Sequence, residues 1–167
     1  MIPTLTTERL TLRAPTLEDF APYAAFYASD ATAFIGGPQG ERDAWRHFSA
    51  DMGHWHLKGY GWFTLDDGEG PVGTCGLHQP PTHPDPELGW LLYERATGKG
   101  YATEAARAVL DWQRGALALP RIVSHIDVGN APSLAVARRL GATTDGARAA
   151  HDPACEMWVH GAGTVRR

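Results

Sequence analysis

The segment from Glu87 to Ala142 constrains the fold more than any other part of the chain. Its pattern predicts a short apolar strand, a turn containing Gly98-Lys99-Gly100, a helix that ends near Gly115, a strand and a short helix that begins at Ser133. Two glycines two positions apart let the backbone approach a bulky ligand, because neither carries a Cβ atom. The helix that follows presents unpaired N–H groups and the positive end of its dipole. The sequence therefore predicts an anion site, and pyrophosphate is its natural occupant.

A dinucleotide-binding fingerprint is the main competing interpretation of this turn. It also begins with Gly-x-Gly before a helix, and Asp127 ends the following strand. Three features disfavour it. Several residues separate Leu92 from the first glycine, and Thr103 occupies the position of the third glycine. Asp127 also lies further along the chain than the acidic residue of that fingerprint does. A lone Gly-x-Gly is also typical of an ordinary tight turn. Lys99 and Arg95 would add positive charge to an anion site.

The rest of the chain alternates strands, helices and a hairpin. A strand is predicted near Arg9–Arg13, and Thr16 with Asp19 resembles a capping box that opens a helix. Further elements are predicted as a helix at Glu41–His56, a hairpin of Tyr60–Leu65 and Val72–His78, and two closing strands near Thr144–Ala149 and Cys155–His160. This order predicts an α+β (mixed α/β) fold, and a length of 167 residues predicts one domain over residues 1–167.

Charge and composition exclude several classes of function. A net charge of −4 disfavours nucleic-acid binding, which needs a concentrated basic surface. No apolar run approaches the length that would span a membrane, and the first residues lack the pattern of a secretory signal. Two cysteines are too few for a disulfide framework, so we expect a reducing, cytoplasmic setting.

Eight histidines raise the question of a metal site. His54 and His56 form the one close pair, and His78 with His83 forms a looser one. Neither pair completes a ligand set at the usual zinc spacing, and both cysteines are isolated in the sequence. Solvated or packed histidines are the ordinary outcome, so the sequence predicts no metal.

Several motifs together resemble those of one known family. They are Arg95-x-x-Gly98-x-Gly100, the opening segment Leu5–Pro15 with Glu18-Asp19, the strand Glu87–Leu92, and Asn130-Ala131-Pro132-Ser133 leading to Arg139–Ala142. Each motif is weak by itself, but they occur in the expected order and cover about residues 4–160. The chain thereby resembles the GNAT superfamily of acyl-CoA-dependent N-acyltransferases, and specifically its RimJ/RimL-like branch.

The resemblance implies a twisted, mostly antiparallel sheet with a central V-shaped splay, flanked by helices, and with acetyl-CoA in the splay. It implies that the pyrophosphate lies on the amides from Gly98 to Thr103, that the pantetheine arm pairs with the backbone of 90–92, and that Asn130 bonds the arm. The implied cofactor-binding residues are Trp90, Leu91, Leu92, Arg95, Gly98, Lys99, Gly100, Tyr101, Ala102, Thr103, Asn130 and Ser133.

Acetyl transfer to an amine needs a base, an oxyanion donor and help for the departing thiolate. Glu87 is the predicted base, directly or through a water, although a salt-bridged carboxylate at a strand end is the alternative. A backbone N–H near Leu91 or Leu92 is the predicted oxyanion donor. Ser133 is the predicted acid, with helix capping as its alternative task. Ala137 stands where many family members place a tyrosine.

The leading hypothesis is an N-acetyltransferase that transfers acetyl from acetyl-CoA to a primary amine by direct attack in a ternary complex. The amine is a protein N-terminus, an amino acid or a small amine, and a homodimer is compatible with the resemblance. The alternative is a non-catalytic domain that binds or senses acyl-CoA, which the missing tyrosine at Ala137 keeps open. A nicotinamide-dependent oxidoreductase is disfavoured by the turn spacing.

Overall fold

The computed structural model describes residues 1–161 of the chain. Its strands are β1 (Leu5–Thr6), β2 (Thr11–Arg13), β3 (Trp62–Asp66), β4 (Pro71–His78), β5 (Glu87–Leu92), β6 (Ile122–Asp127), β7 (Arg148–Ala149) and β8 (Asp152–His160). Its helices are α1 (Phe20–Tyr27), α2 (Glu41–Lys58), α3 (Tyr101–Ala116) and α4 (Ala131–Arg139). Short 3-10 turns occupy Leu17–Asp19, Asp30–Thr32 and Glu94–Ala96.

The eight strands form one sheet in the order β1-β2-β3-β4-β5-β6-β8-β7. Every neighbouring pair is antiparallel except β5 and β6, which are parallel and share the single pair Glu87–Val123. Beyond that pair the two strands separate and leave a V-shaped opening in the middle of the sheet. The predicted mixed α/β fold with a splayed, mostly antiparallel sheet is confirmed.

The two faces of the sheet are covered by different kinds of side chain. On one face, small residues of α3 such as Ala105 and Ala106 let the helix lie close to Leu88 of β5 in the larger core cluster. On the other face, α1 and α2 contribute an aromatic cluster that packs against Leu91 and includes Tyr23. Side chains alternate between faces along a strand, so β5 supplies both cores.

Most helices and strands lie within a few residues of the bounds that local sequence signals predict. The capping box is present, because the Thr16 N–H donates to Asp19 Oδ2 at 2.8 Å. The last strands differ from expectation, since β7 covers only Arg148–Ala149 while β8 begins at Asp152. The capping alternative for Ser133 is wrong: Asn130 caps α4, and its Oδ1 accepts the Ser133 N–H at 3.2 Å. A side chain three residues before the bonded N–H is the usual capping geometry.

Neither cysteine within residues 1–161 forms a disulfide. Burial raises the pKa of the Cys75 thiol, so it packs as a small apolar group in β4. Among the helices of this part of the chain, none has both the length and the apolar character needed to cross a bilayer.

Candidate active site

The opening between β5 and β6 exposes one edge of β5. The Tyr93 N–H donates to the carbonyl of Val72 at 2.9 Å, which fixes the direction of the peptide groups in the strand. Because these groups alternate, those of Trp90 and Leu92 point into the opening, whereas that of Leu91 points to β4. The structure corrects the expectation for Leu91, whose peptide is used by the sheet and whose side chain joins the aromatic cluster.

The glycine turn at the start of α3 forms a cradle of backbone N–H groups, which we call the amide cradle and define as residues 98–103. Gly98 and Gly100 have φ angles of 75° and 81°, in the left-handed region that favours glycine. Within residues 1–161, none of the six N–H groups of the cradle donates a hydrogen bond. Unpaired donors at a helix start favour an anion, so this geometry supports the anion site, which stays a prediction.

Two cationic side chains lie at the amide cradle. Arg9 Nη1 donates to the carbonyl of Lys99 at 2.8 Å, and its guanidinium lies 4.9 Å from the ring centroid of Tyr101. The ammonium of Lys99 lies 5.9 Å from the same ring. Glu104 holds Arg9 in place with Oε2 2.8 Å from Nε. Sequence reasoning missed Arg9, because nothing local connects the segment before β2 with a turn ninety residues later.

Arg95 has a partner other than the amide cradle. Its two guanidinium nitrogens bond both Asp67 oxygens at 2.9 and 3.0 Å, and Nη2 also donates to the carbonyl of Gly70. This bidentate pair ties the turn before α3 to the β3–β4 turn. The Asp67 charge offsets that of Arg95, so a cofactor contact through the Arg95 guanidinium stays a prediction.

At the closed end of the opening, two side chains replace hydrogen bonds that the separating strands lose. Ser124 Oγ donates to the carbonyl of Leu88 at 2.6 Å and lies 2.8 Å from His160 Nε2. Glu87 Oε1 lies 3.4 Å from the backbone nitrogen of His125, and Oε2 lies 2.9 Å from its ring Nδ1. These groups would otherwise be buried without partners, which is costly.

Glu87 lies beside three histidines, and these together with the neighbouring ring of His151 form what we call the histidine cluster: His78, His83, His125 and His151. Glu87 Oε2 is 3.2 Å from His83 Nδ1 and 3.9 Å from His78 Nε2. Burial alone would raise the pKa of Glu87, but the hydrogen bond from His125 and the other histidines outweigh it and lower that pKa. Glu87 is therefore an ionised carboxylate with its oxygens engaged.

The histidine cluster was invisible in the sequence because its members come from separate segments. His83, His125 and His151 have ring nitrogens within 4.8 Å of one another. The rings of His83 and His151 stack, however, with centroids 4.1 Å apart and planes 19° apart. A lone pair of imidazole lies in the plane of its ring, so two stacked rings do not aim at one ion. As placed, His83 and His151 do not converge on one ion.

The start of α4 brings Asn130 and Ser133 to the mouth of the opening. Asn130 Oδ1 accepts the Ser133 N–H, which leaves the amide nitrogen of Asn130 and the hydroxyl of Ser133 for a ligand. Ala137 is fully buried in a cluster with Ile126 and Trp158. No phenol is therefore available at that position.

Comparison with known proteins identifies the same family as the motifs. A family model of the acetyltransferase (GNAT) domain matches residues 9–143. The crystal structure of an acetyltransferase from Agrobacterium tumefaciens is 42% identical, has a TM-score of 0.91, and the match covers 96% of this chain and 95% of that one.

Two more distant structures share the fold and hold coenzyme A. One is a ribosomal L7/L12 alpha-N-protein acetyltransferase (TM-score 0.77, 18% identity, covering 94% and 97% of the two chains). The other is a spermidine N-acetyltransferase from Vibrio cholerae, which also holds spermine (TM-score 0.72, 18% identity, covering 92% and 94%). The chain belongs to the GNAT superfamily of acetyltransferases.

Proposed function

We propose that this protein transfers the acetyl group of acetyl-CoA to a primary amine by direct attack within a ternary complex. The observation that carries the proposal is the amide cradle beside an unpaired strand edge. The cradle offers six N–H donors to a pyrophosphate, and the edge of β5 offers peptide groups to an amide-bearing arm. Coenzyme A carries both a pyrophosphate and an amide-bearing arm.

The cofactor is proposed to bind through main-chain groups and a few side chains. The pyrophosphate takes the N–H groups of the cradle, with Arg9 and Lys99 supplying charge. The pantetheine arm pairs with the peptides of Trp90 and Leu92, which face the opening, and Asn130 bonds the arm from α4. The thioester then lies towards the closed end of the opening.

The reaction follows from what surrounds that position. The Leu92 or Trp90 N–H polarises the thioester carbonyl and stabilises the tetrahedral oxyanion. The amine loses its proton at the Glu87 end, where ionisable groups converge. Ser133 or a water protonates the departing thiolate, because Ala137 supplies no phenol.

The acceptor is proposed to be a primary amine of modest size or a protein N-terminus. The names of the two distant relatives point to such amines, one on a ribosomal protein and one on spermidine. Both share the fold of this chain at 18% identity, so their own acceptors serve as members of a test panel. Free amino acids complete the panel.

Calorimetric titration with acetyl-CoA, coenzyme A and NAD tests the cofactor, and thiol release tests turnover across the amine panel. We expect acetyl-CoA and coenzyme A to bind, NAD not to bind, and at least one amine to release thiol with stoichiometric amide formation. NAD binding without coenzyme A binding would refute the proposal. Thioester binding without turnover on any amine would favour a non-catalytic sensor instead.

A further inference from the structure

We propose that His125, rather than Glu87, accepts the proton of the attacking amine, and that Glu87 is a positioning residue; this inference rests on the proposed function. The observation behind it is the fork of the sheet. β5 and β6 last pair at Glu87–Val123, and His125 is the second residue beyond that pair on β6. Its ring therefore lies where the opening begins.

The carboxylate of Glu87 is a poor proton acceptor as it stands. Its two oxygens face the backbone N–H and ring Nδ1 of His125, and Oε2 also faces His83 and His78. These contacts stabilise the ionised form, and the pKa of Glu87 lies below its ordinary value. A base works best when its pKa is near the working pH, which disfavours this carboxylate.

The same contacts prepare His125 to act as a base. An ionised carboxylate only accepts hydrogen bonds, so His125 Nδ1, at 2.9 Å from Glu87 Oε2, carries the proton. The lone pair of neutral His125 is thereby assigned to Nε2, because the ring hydrogen bond that His125 makes within residues 1–161 runs through Nδ1. A carboxylate that fixes the tautomer and stabilises the imidazolium is a recurrent arrangement in acyl transfer.

The histidine cluster also gives the proton a route to solvent. Acetylation of an ammonium forms the amide and the coenzyme A thiol and releases one proton. His125 Nε2 takes a proton from the amine as the N–C bond forms and the C–S bond breaks. The exposed ring of His151 lies 4.7 Å from that of His125 and stacks on His83 at 4.1 Å, so it can pass the proton to water.

The remaining members of the cluster add little positive charge. Burial lowers the pKa of both His78 and His83, which keeps their rings neutral at the pH where the amine reacts. Glu87 is therefore the formal charge that faces His125 from β5, with the neutral ring of His83 and the exposed ring of His151 on its other sides. This arrangement favours the imidazolium that forms during transfer.

The test uses hydroxylamine as the acceptor, since it is small and neutral near pH 7, together with the amine panel. In His125→Gln we expect kcat to fall about 10²–10⁴-fold, with the acetyl-CoA KM unchanged and the acid limb of the pH profile lost. His56→Gln, on the exposed side of α2, is the matched control and keeps wild-type rates. Retention of more than about a third of wild-type kcat in His125→Gln overturns the inference and leaves the function standing.

A second measurement needs no variant. Nitrogen-15 NMR of the histidine rings should show His125 protonated at Nδ1 and unprotonated at Nε2 near neutral pH. In Glu87→Gln the new amide can donate to Nδ1, so we expect the proton to move to Nε2 and the pH profile to shift. Finding Nε2 protonated in the wild type overturns the inference.

Two other results would also overturn the inference that His125 is the base. Stoichiometric Zn²⁺ binding that disappears in His125→Gln would make the rings ligands instead of a base. Thioester binding without turnover of hydroxylamine or of any amine would remove the proposed function, and the inference with it.

Discussion

The two ends of the opening between β5 and β6 are built differently. The cofactor end consists of main-chain N–H groups, and its shape follows from two glycines with left-handed φ angles. The closed end consists of side chains, where Glu87 and Ser124 replace the ladder bonds that the separating strands lose. A main-chain site is encoded locally, whereas a side-chain site depends on the whole fold.

This difference has a consequence for what each end can do. Backbone donors have no pKa near neutrality, so the proposed binding of an anion by the amide cradle should be the same over a wide pH range. The closed end collects a carboxylate and four imidazoles, and charge interactions between Glu87 and both His78 and His83 contribute to the pKa shifts of these three groups. The proposed sites of cofactor binding and proton transfer are thereby separated in space, and substitutions at one end should leave the other largely unaffected.

The largest effect is expected for Gly100→Val at the cofactor end. A β-branched residue at φ 81° is strained by roughly 1–2 kcal/mol, and its side chain enters the space of the anion. That strain lowers the stability of the protein with or without cofactor, whereas losing two charged hydrogen bonds costs about 4 kcal/mol of binding free energy, so coenzyme A affinity should fall about 1,000-fold by calorimetry. Gly115→Ala, in the same helix with open space around it, is the control. An unchanged Kd in a folded Gly100→Val protein would contradict the cradle.

The second effect in order of size is expected from acid, which should lower the free energy of unfolding through His160 at the closed end. Burial lowers the pKa of His160 to about 4, whereas an unfolded histidine titrates near 6.5. Between these values the unfolded chain binds a proton that the folded chain does not, so the free energy of unfolding falls as the pH falls. The loss from His160 is about 3 kcal/mol and is complete below pH 4.

The measurement compares wild type with His160→Gln, which keeps a donor for Ser124. Urea unfolding gives the free energy of unfolding of each protein. Between pH 7 and pH 4, the value for wild type should fall by about 3 kcal/mol relative to that for His160→Gln. A constant difference across the range would show that His160 does not titrate as the buried environment requires.

Ser124→Ala probes the same end by removing a hydroxyl. It leaves the Leu88 carbonyl and the His160 N–H without partners inside the protein. We expect the free energy of unfolding to fall by about 2 kcal/mol, with coenzyme A affinity within about threefold of wild type. Ser49→Ala, on the exposed face of α2, should change stability by less than about 0.5 kcal/mol. A large loss of coenzyme A affinity in Ser124→Ala would mean that the two ends are coupled.

The sequence predicted the parts of the molecule that depend on neighbours in the chain. The glycine turn, the bounds of β5 and the capping box of Thr16 and Asp19 all rest on local backbone preferences. The V-shaped opening of the sheet was predicted from the resemblance to the GNAT superfamily and not from local backbone preferences. Periodicity alone does not say where two parallel strands stop pairing.

The sequence failed where residues from distant segments meet. His83, His125 and His151 lie far apart in the sequence, and their proximity is set by how β6 and the β7–β8 turn fold against the loop before β5. The expected contact between the Leu91 peptide and the cofactor arm failed for a simpler reason. Peptide groups alternate in direction along β5, and only the pairing with β4 shows which of them face the opening.

Arg9→Gln tests whether the cofactor end is main-chain alone. Arg9 reaches from before β2 to the carbonyl of Lys99 and is held by Glu104, so it both shapes the amide cradle and adds charge to it. Losing one charge-assisted bond should weaken coenzyme A binding about tenfold, or about 1.4 kcal/mol, and the loss should shrink as salt rises. Arg42→Gln, on the exposed side of α2, is the control. An affinity within twofold of wild type would mean that the glycines and N–H groups suffice, and that the distinction between the two ends is as sharp as their chemistry suggests.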